Sequence, residues 1–333
     1  MKKKLLSIVI GTIIGILFIL IWLHYVDIQS ISAYLSDIRI EFVIIALLFY
    51  LSAYFIRSLR WRLLLLKIVR IPVMRNFLIL MAGNFTNYLI PIRAGEFMKC
   101  YFIKKIYGKR ISHTLPSVFV DKLFDMLGII FVLVLVPVMS VTLPTMLFIL
   151  IIVILIILIT GCAILFMAAY AGDKVNSILK RLFFFIPAKY EIKLDEIITL
   201  FVEGLAVFKD HKQLIFPVIM LSFIAIFFDS FFFYSLFMAF GFGINYFYIL
   251  LGYTLIYLSY ILPHPPAQLG SNELIMILIF TTGFGMYGGA AGSIMLFSHL
   301  MTGLIIITVG IFAYFHTGVK LITIFNKGDN LYE

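Results

Sequence analysis

Long apolar runs alternate with short polar connections along almost the whole chain. A run of about 20 apolar residues is long enough to cross the ~30 Å hydrocarbon core of a bilayer as a helix. Helices that face lipid need no polar side. The pattern therefore predicts an all-α fold, a polytopic transmembrane helical bundle. Seven spans are predicted, at residues 5–23, 41–59, 115–137, 144–170, 213–240, 244–262 and 286–316.

Two further apolar segments, 76–106 and 263–284, are interrupted by polar and turn-forming residues. Basic residues flank segment 76–106 on both sides, so the positive-inside bias predicts that both of its ends lie at the cytoplasmic face. Such a segment must enter the membrane and return. Irregular backbone is tolerated at that depth where it is buried in protein or lines a cavity. We therefore predict two re-entrant broken-helix hairpins.

The two interrupted segments resemble each other. The stretches that begin at Asn87 and Ser259 both read, with gaps, as a polar residue, Tyr, two aliphatic residues, Pro, a side-chain donor, Gly and Glu. Internal repeats around broken helices are typical of transporters whose site lies between the repeats; two coincidental polar loops are the alternative. The repeat predicts a single membrane domain with halves 1–170 and 213–333. Four predicted spans separate the hairpins, and an inverted repeat would require one span fewer.

The polar loop 171–212 separates the two halves. Apolar residues recur at near-helical spacing over residues 190–208, which predicts an amphipathic helix on the membrane surface. The positive-inside bias predicts that the N-terminus and this loop are cytoplasmic and that the loop 24–40 is outside. The expected location is the cytoplasmic membrane.

Composition narrows the classes of function. Apolar residues make up 63% of the chain and charged residues 13%, which excludes a soluble domain. The net charge of +10 comes from Lys and Arg beside the spans, so it fits anionic lipid headgroups and not nucleic acid. The sequence has no nucleophile elbow, P-loop, HExxH motif or cluster of His and Cys metal ligands. We expect no enzyme activity, no metal and no cofactor.

The first hairpin concentrates polar residues in an apolar region. A charge in hydrocarbon costs roughly 2.5–3.5 kcal/mol on insertion scales, so charges kept there are usually paired or functional. The guanidinium of Arg93 fits a phosphate bidentately, and Glu96 could pair with Arg93 or exchange a proton. In the alternative, these side chains reach the interface and serve no site. The candidate substrate-binding residues here are Asn84, Asn87, Arg93, Glu96 and Lys99.

A second candidate group starts the span at 115–137. Asp121 and Asp125 share a helix face and repel each other unless a cation lies nearby. Either Arg93 or Lys122 could be that cation. Asp121, Lys122 and Asp125 are candidates for the substrate site, and a purely structural ion pair is the alternative.

The second hairpin supplies amides and one carboxylate. Prolines forbid a continuous helix there, which leaves backbone groups free to bind something polar. Glu273 could cap the following half-helix or belong to the site. The candidate site residues here are Gln268, Asn272 and Glu273. Weaker candidates are Asp229, His264 and His299, because such residues are more often hydrogen-bonded between helices without belonging to a site.

A basic stretch follows the second predicted span. Residues 57–75 contain six cations and no acidic residue. Arg57, Arg60 and Arg62 are therefore predicted to grip anionic lipid headgroups. In the alternative, the same charges only set the orientation of the neighbouring span through the positive-inside bias.

Four motifs together resemble the lysylphosphatidylglycerol synthase transmembrane-region family, also called flippase-like domain proteins, which includes the membrane half of the multiple peptide resistance factor. They are Arg57-Ser-Leu-Arg-Trp-Arg62, Asn84 with Pro91-Ile-Arg-Ala-Gly-Glu96, Asp121-Lys-Leu-Phe-Asp125, and Pro263 to Glu273. Lys122 stands where the family usually has Arg, and Ala267-Gln268 replaces a glycine-richer turn.

The resemblance implies a flippase-like lipid translocator that moves a phospholipid or a lipid-linked headgroup between leaflets. The expected partners are membrane lipids, anionic or lipid-linked. A membrane-embedded transferase for aminoacyl- or glycosyl-lipids, or a partner subunit of such an enzyme, is the first alternative, and a transporter of small solutes is the second. The sequence contains no soluble transferase domain, so we expect it not to synthesise the lipid.

Overall fold

The computed structural model describes residues 13, 15–22, 34–90, 94–139, 141–171, 199–205, 207–260 and 264–319. Within these residues the regular elements are helices, which confirms the all-α fold. The main helices are α1 (15–22), α2 (Ile40–Leu64), α3 (Val73–Leu89), α4 (Gly95–Tyr107), α5 (Ile111–Leu135), α6 (Thr145–Ala171), α7 (Ile215–Ala239), α8 (Tyr246–Ser259), α9 (Ser271–Met276) and α10 (Gly288–Thr317). A π-helix, Ile277–Gly283, continues α9.

Several of these helices confirm the predicted transmembrane bundle. Four helical stretches in the described ranges are long and apolar enough to cross a membrane: α2, most of α6, α7 with its preceding turn, and α10. Helix α6 is apolar on all sides and mostly exposed, as expected of a helix that faces lipid. Helix α5 is also 25 residues long but carries three charged side chains in its middle.

The predicted span 244–262 is wrong. Helix α8 has 14 residues and is only about 21 Å long, well short of a ~30 Å core. It forms the first leg of an antiparallel hairpin whose second leg is α9 with its π-helix. The rings of Tyr248 and Phe284 lie 5.2 Å apart, and Gly252 touches the ring of Phe280. The run 244–262 resembles a span because hydrophobicity alone does not distinguish a helix that crosses the bilayer from the leg of a hairpin.

The first hairpin consists of α3 and α4. The amide of Gly95 donates to Asn87 Oδ1 at 2.7 Å, and Gly95 lies directly against Gly83 on the opposite leg. Small residues let the two backbones approach this closely. Residues 91–93, with Arg93 among them, lie outside the described ranges. Both broken helices are thus helical hairpins, and their re-entry into the bilayer stays a prediction.

Each half of the chain repeats the order long helix, hairpin, long helix. The first half has α2, the α3/α4 hairpin and α5; the second has α7, the α8/α9 hairpin and α10. The halves interlock, since α2 packs along α7 and α3 packs along α10. Among the described residues, three long helices, α5, α6 and α7, separate the hairpins, one fewer than the four spans predicted. If each of the three crosses the bilayer once, the hairpins enter from opposite faces, so the corrected count favours an inverted repeat.

This count makes a testable prediction about topology. With the buried Cys100 and Cys162 replaced by serine, Lys109→Cys at the base of the first hairpin should react with an impermeant thiol reagent only after permeabilisation. Gly243→Cys, at the base of the second hairpin, should react in intact cells. Lys189→Cys in the 171–212 loop provides the cytoplasmic reference. Labelling of Lys109→Cys and Gly243→Cys from the same face would contradict the inverted arrangement.

Part of the predicted surface helix packs against protein. Residues 199–205 are helical, and Phe201 and Leu205 are buried with Val120 and Phe124 of α5. This end of the segment therefore docks on the bundle instead of lying on lipid. The rest of that prediction, residues 190–198, lies outside the described ranges.

Candidate functional site

A cavity of about 280 Å³ lies in the interior of the bundle, between two of its apolar cores. Along α2, Tyr50 belongs to the first core, Arg57 borders the cavity, and Trp61 belongs to the second core. The same order recurs along α10, where Ile294, His299 and Tyr314 take these three places. The cavity is therefore a polar layer inside an otherwise apolar bundle.

Both hairpins border this cavity, and the turn Pro266–Gln268 of the second hairpin packs against α3 of the first. Arg93 lies outside the described residues, and Glu273 is buried one layer behind the wall. That these residues bind substrate stays a prediction. The predicted site residues that line the cavity are Asn84, Asn87, Glu96, Lys99, Asp121, Lys122, Asp125, Gln268 and Asn272.

Arg60 is the main cation between the two acidic residues of α5. Its Nε lies 2.8 Å from Asp121 Oδ1, and its Nη2 lies 2.6 Å from Asp125 Oδ1. The guanidinium also donates to Ser222 Oγ at 3.0 Å, so this buried charge is well compensated. The prediction that Arg93 or Lys122 fills this place is corrected, although Lys122 adds a longer contact to Asp125.

The predicted headgroup interface of Arg57, Arg60 and Arg62 is corrected at Arg57 and Arg60, whose charges meet carboxylates inside the bundle. Arg57 forms an ion pair with Asp229, and Arg60 is only 1% exposed. Arg62 donates its Nε to the carbonyl of Ile71 at 2.6 Å and so fixes the connection between α2 and α3. An Arg every few residues beside an apolar run looks the same in sequence whether it meets lipid headgroups or buried carboxylates.

Lys122 is the cation whose loss would least disturb the ionic network around Glu96 and Asp125. Its Nζ lies 3.3 Å from Glu96 Oε1 and 3.5 Å from Asp125 Oδ2. Both carboxylates have a closer cation, because Glu96 lies 2.5 Å from Lys99 and Asp125 lies 2.6 Å from Arg60. The Lys122 side chain is 39% exposed, against 3% for Lys99. Lys122 can therefore turn to a ligand without leaving either acid unpaired.

Asn84 offers a second donor to the cavity. Its Nδ2 is buried and has no hydrogen-bond partner among the described residues, and its side chain borders the cavity. Leaving a buried donor unpaired costs about 1–3 kcal/mol. A polar ligand in the cavity would remove that cost.

A tyrosine-rich wall faces the charged groups and was not predicted from the sequence. Tyr54 and Arg57 on α2 lie near Tyr257 on α8, with the guanidinium carbon of Arg57 5.8 Å from the Tyr54 ring and 5.3 Å from the Tyr257 ring. The available signal was spacing, since Tyr253, Tyr257 and Tyr260 recur at helical intervals on one face of α8. In the sequence of a membrane span, such tyrosines are first interpreted as part of the packed core. This wall provides hydroxyl groups without charge.

His299 connects Glu273 to the cavity. Glu273 Oε1 lies 2.5 Å from His299 Nδ1, and His299 Nε2 lies 2.6 Å from the carbonyl oxygen of Ala267. The ring of Tyr88, on the first hairpin, meets the imidazole edge to face at 6.4 Å. His299 thus touches both hairpins, a role that its sequence context did not reveal.

Comparisons with known proteins agree with this architecture. The sequence profile of the lysylphosphatidylglycerol synthase TM region matches residues 5–310. A UPF0104 membrane protein of Methanothermobacter thermautotrophicus is 28% identical over 317 residues, covering 90% of this chain and 89% of its own. A UPF0104 membrane protein of Methanocaldococcus jannaschii is 24% identical over 313 residues, covering 91% and 92%. No solved structure matches the chain. This protein therefore belongs to the lysylphosphatidylglycerol synthase transmembrane-region family.

Proposed function

We propose that this protein moves the polar headgroup of a phospholipid or lipid-linked molecule between membrane leaflets through the cavity between its hairpins. The observation that carries the proposal is the cavity itself, a set of charged and amide side chains from both hairpins inside an apolar bundle. Ionisable groups at membrane depth are expensive, and they generally mark the path of a substrate or ion. The family's description, which names a lipid synthase, supports a lipid as substrate.

The size of the cavity favours a headgroup over a whole lipid. Its volume of about 280 Å³ falls just below the ~300–1,000 Å³ of pockets that enclose drug-sized ligands. The headgroup would occupy the cavity while the acyl chains stay in the surrounding lipid. No acyl chain then has to cross a polar region.

The cavity wall suggests how a headgroup would be held. Lys122 and Asn84 are donors suited to phosphate oxygens, since Lys122 is redundant in the ionic network and Asn84 Nδ2 has no partner in the part of the chain that the structure describes. Tyr257 and Tyr260 on the opposite wall suit the hydroxyl groups of a glycerol or sugar. This arrangement of the two walls fits a headgroup in which a phosphate is attached to a neutral polar group.

The test is reconstitution of the full chain into vesicles that contain fluorescent phosphatidylglycerol. Dithionite bleaches only probe in the outer leaflet, so bleaching beyond the protein-free plateau reports movement of lipid. A chemically changed lipid in the mass spectrum, without extra bleaching, would instead favour the transferase alternative. Vesicles that take up soluble glycerol phosphate without extra bleaching would favour the small-solute alternative.

Lys122→Gln should slow lipid movement by about tenfold or more, because a hydrogen bond to a charged group contributes about 1.5–3 kcal/mol. Stability should change by no more than about 1 kcal/mol, since Glu96 and Asp125 keep their closer cations. The matched control is Lys109→Gln, whose side chain is exposed on a loop. Unchanged bleaching kinetics in Lys122→Gln would contradict a phosphate contact at this residue.

A further inference from the structure

Together, His299 and Glu273 carry one proton more than a neutral imidazole and an ionised carboxylate would carry. The carbonyl oxygen of Ala267 can only accept, so His299 Nε2 carries a hydrogen and donates it over 2.6 Å. The 2.5 Å contact of Nδ1 with Glu273 Oε1 needs a second hydrogen, because two lone pairs would repel at that distance. The pair is therefore either an imidazolium with a carboxylate or a neutral imidazole with a carboxylic acid.

Loss of one proton forces a choice between the two contacts. A neutral imidazole has a single N–H, and both Glu273 and the Ala267 carbonyl accept from it. A hydrogen bond to a carboxylate is roughly twice as strong as one to a neutral carbonyl. The remaining hydrogen therefore moves to Nδ1, and Nε2 then presents a lone pair to Ala267. Proton loss releases the Ala267 carbonyl and leaves the carboxylate contact in place.

The released carbonyl belongs to a strained turn. Ala267 has φ 53° and Gln268 has φ 59°, in the left-handed region that costs a non-glycine residue roughly 1–2 kcal/mol. Gln268 also accepts from Asn272 Nδ2 at 2.9 Å, and both side chains border the cavity. A change in this turn therefore changes the wall that the second hairpin contributes to the cavity.

We propose that His299 and Glu273 form a proton-binding site, and that headgroup movement through the cavity is coupled to protons through the Ala267–Gln268 turn. The coupling rests on the proposed function, whereas the proton site does not. The proton would come from water on one face of the membrane and return to water on the other. The pair keeps its extra proton when the turn is clamped and loses it when the turn is released.

Other titratable side chains of the described residues lie around the pair of His299 and Glu273. Tyr88 of α3 and Tyr260 at the end of α8 interact with the charge of Glu273, and His264 lies 5.4 Å from the ring of Tyr260. Among the described residues, Glu273 is the charged group that acts on His299. Tyrosine hydroxyls stay protonated near neutral pH. His264 is thus the neighbour whose own titration has to be controlled.

Hydrogen exchange tests the proton site without any transport. In the full chain in nanodiscs, amide protection of residues 264–270, corrected for intrinsic exchange, should fall as the pH rises, because loss of the proton releases the Ala267 carbonyl. Glu273→Gln should keep the protection high throughout, because its amide donates to Nδ1 while Nε2 still donates to Ala267. His264→Gln and His316→Gln should behave like the wild type. Protection that does not depend on pH in the wild type, or still depends on it in Glu273→Gln, would overturn the site.

A pH gradient tests the coupling. In vesicles with fluorescent phosphatidylglycerol, a gradient should accelerate lipid movement by the wild type by up to about tenfold per pH unit, the change in proton occupancy at a single site. Glu273→Gln should not respond to the gradient. Lipid movement that ignores the gradient in the wild type would overturn the coupling and leave the proposed function standing. A pH-dependent turn in a protein that moves no lipid would sink the proposed function and leave the proton site.

Discussion

Replacing Arg60 with methionine should lower the free energy of unfolding by about 3–5 kcal/mol, the usual effect of removing one partner from a buried ionic network. Arg60 lies between Asp121 and Asp125, at 2.8 and 2.6 Å, and is 1% exposed. Methionine fills much of the volume but removes the ion-pair partner of Asp121. Denaturant unfolding of the detergent-solubilised chain, followed by tryptophan fluorescence, measures the change.

Arg62 provides the matched control, because it sits two residues further along α2 and is bonded to the carbonyl of Ile71 instead of to a carboxylate. Arg62→Met should cost less, about 1.5–3 kcal/mol, the contribution of one hydrogen bond that involves a charged group. Adding Asp121→Asn to Arg60→Met should restore part of the lost stability, since the stranded charge is then removed. Equal effects of Arg60→Met and Arg62→Met would show that the buried network does not stabilise the fold.

The second large effect is expected from Gly95→Ala, which should keep the first hairpin from closing. A Cβ at this position would overlap the carbonyl oxygen of Gly83, far inside the 3.0 Å that real Cβ atoms keep. The two legs would have to separate, which also breaks the 2.7 Å bond from the Gly95 amide to Asn87. Overpacking of this kind costs about 1–3 kcal/mol and occasionally more. Lipid movement should be lost as well, because Glu96 and Lys99 leave the cavity with α4.

Gly161→Ala is the control for this substitution. Gly161 lies in the lipid-facing helix α6, and a Cβ there has nothing within 4 Å. Alanine inside a helix is more favourable than glycine by roughly 0.5–1 kcal/mol. The control should therefore be slightly more stable than the wild type and move lipid at the same rate. A Gly95→Ala variant that matches it in both measurements would contradict the close packing of α3 on α4.

Local features of the sequence were sufficient for the class of fold and for locating the two interrupted segments. The length of an apolar run predicts a membrane helix because the bilayer has a fixed thickness, as α2 and α10 illustrate. Proline and glycine interrupt a helix wherever they stand, so both broken segments were recognisable. The count of spans failed at 244–262, since hydrophobicity alone does not distinguish a helix that crosses from the leg of a hairpin.

The candidate site was only partly visible in the sequence. Polar residues in the broken segments were predictable because a charge in hydrocarbon is expensive wherever it occurs. The tyrosines of α8 and His299 were not, since such residues fit a helix interface as well as a cavity. Their role depends on what faces them across the bundle.

The sequence by itself determined that this protein is an all-α membrane bundle with two interrupted segments rich in polar residues. Only the tertiary structure decided which charges are partners. Arg57 and Asp229 are 172 positions apart, and Arg60 meets acids 61 and 65 positions away. The physical reason is that burial makes every charge require a partner, whereas the partner's identity depends on how the helices pack. Arginines that resembled a lipid anchor in the sequence are for this reason part of the protein's interior.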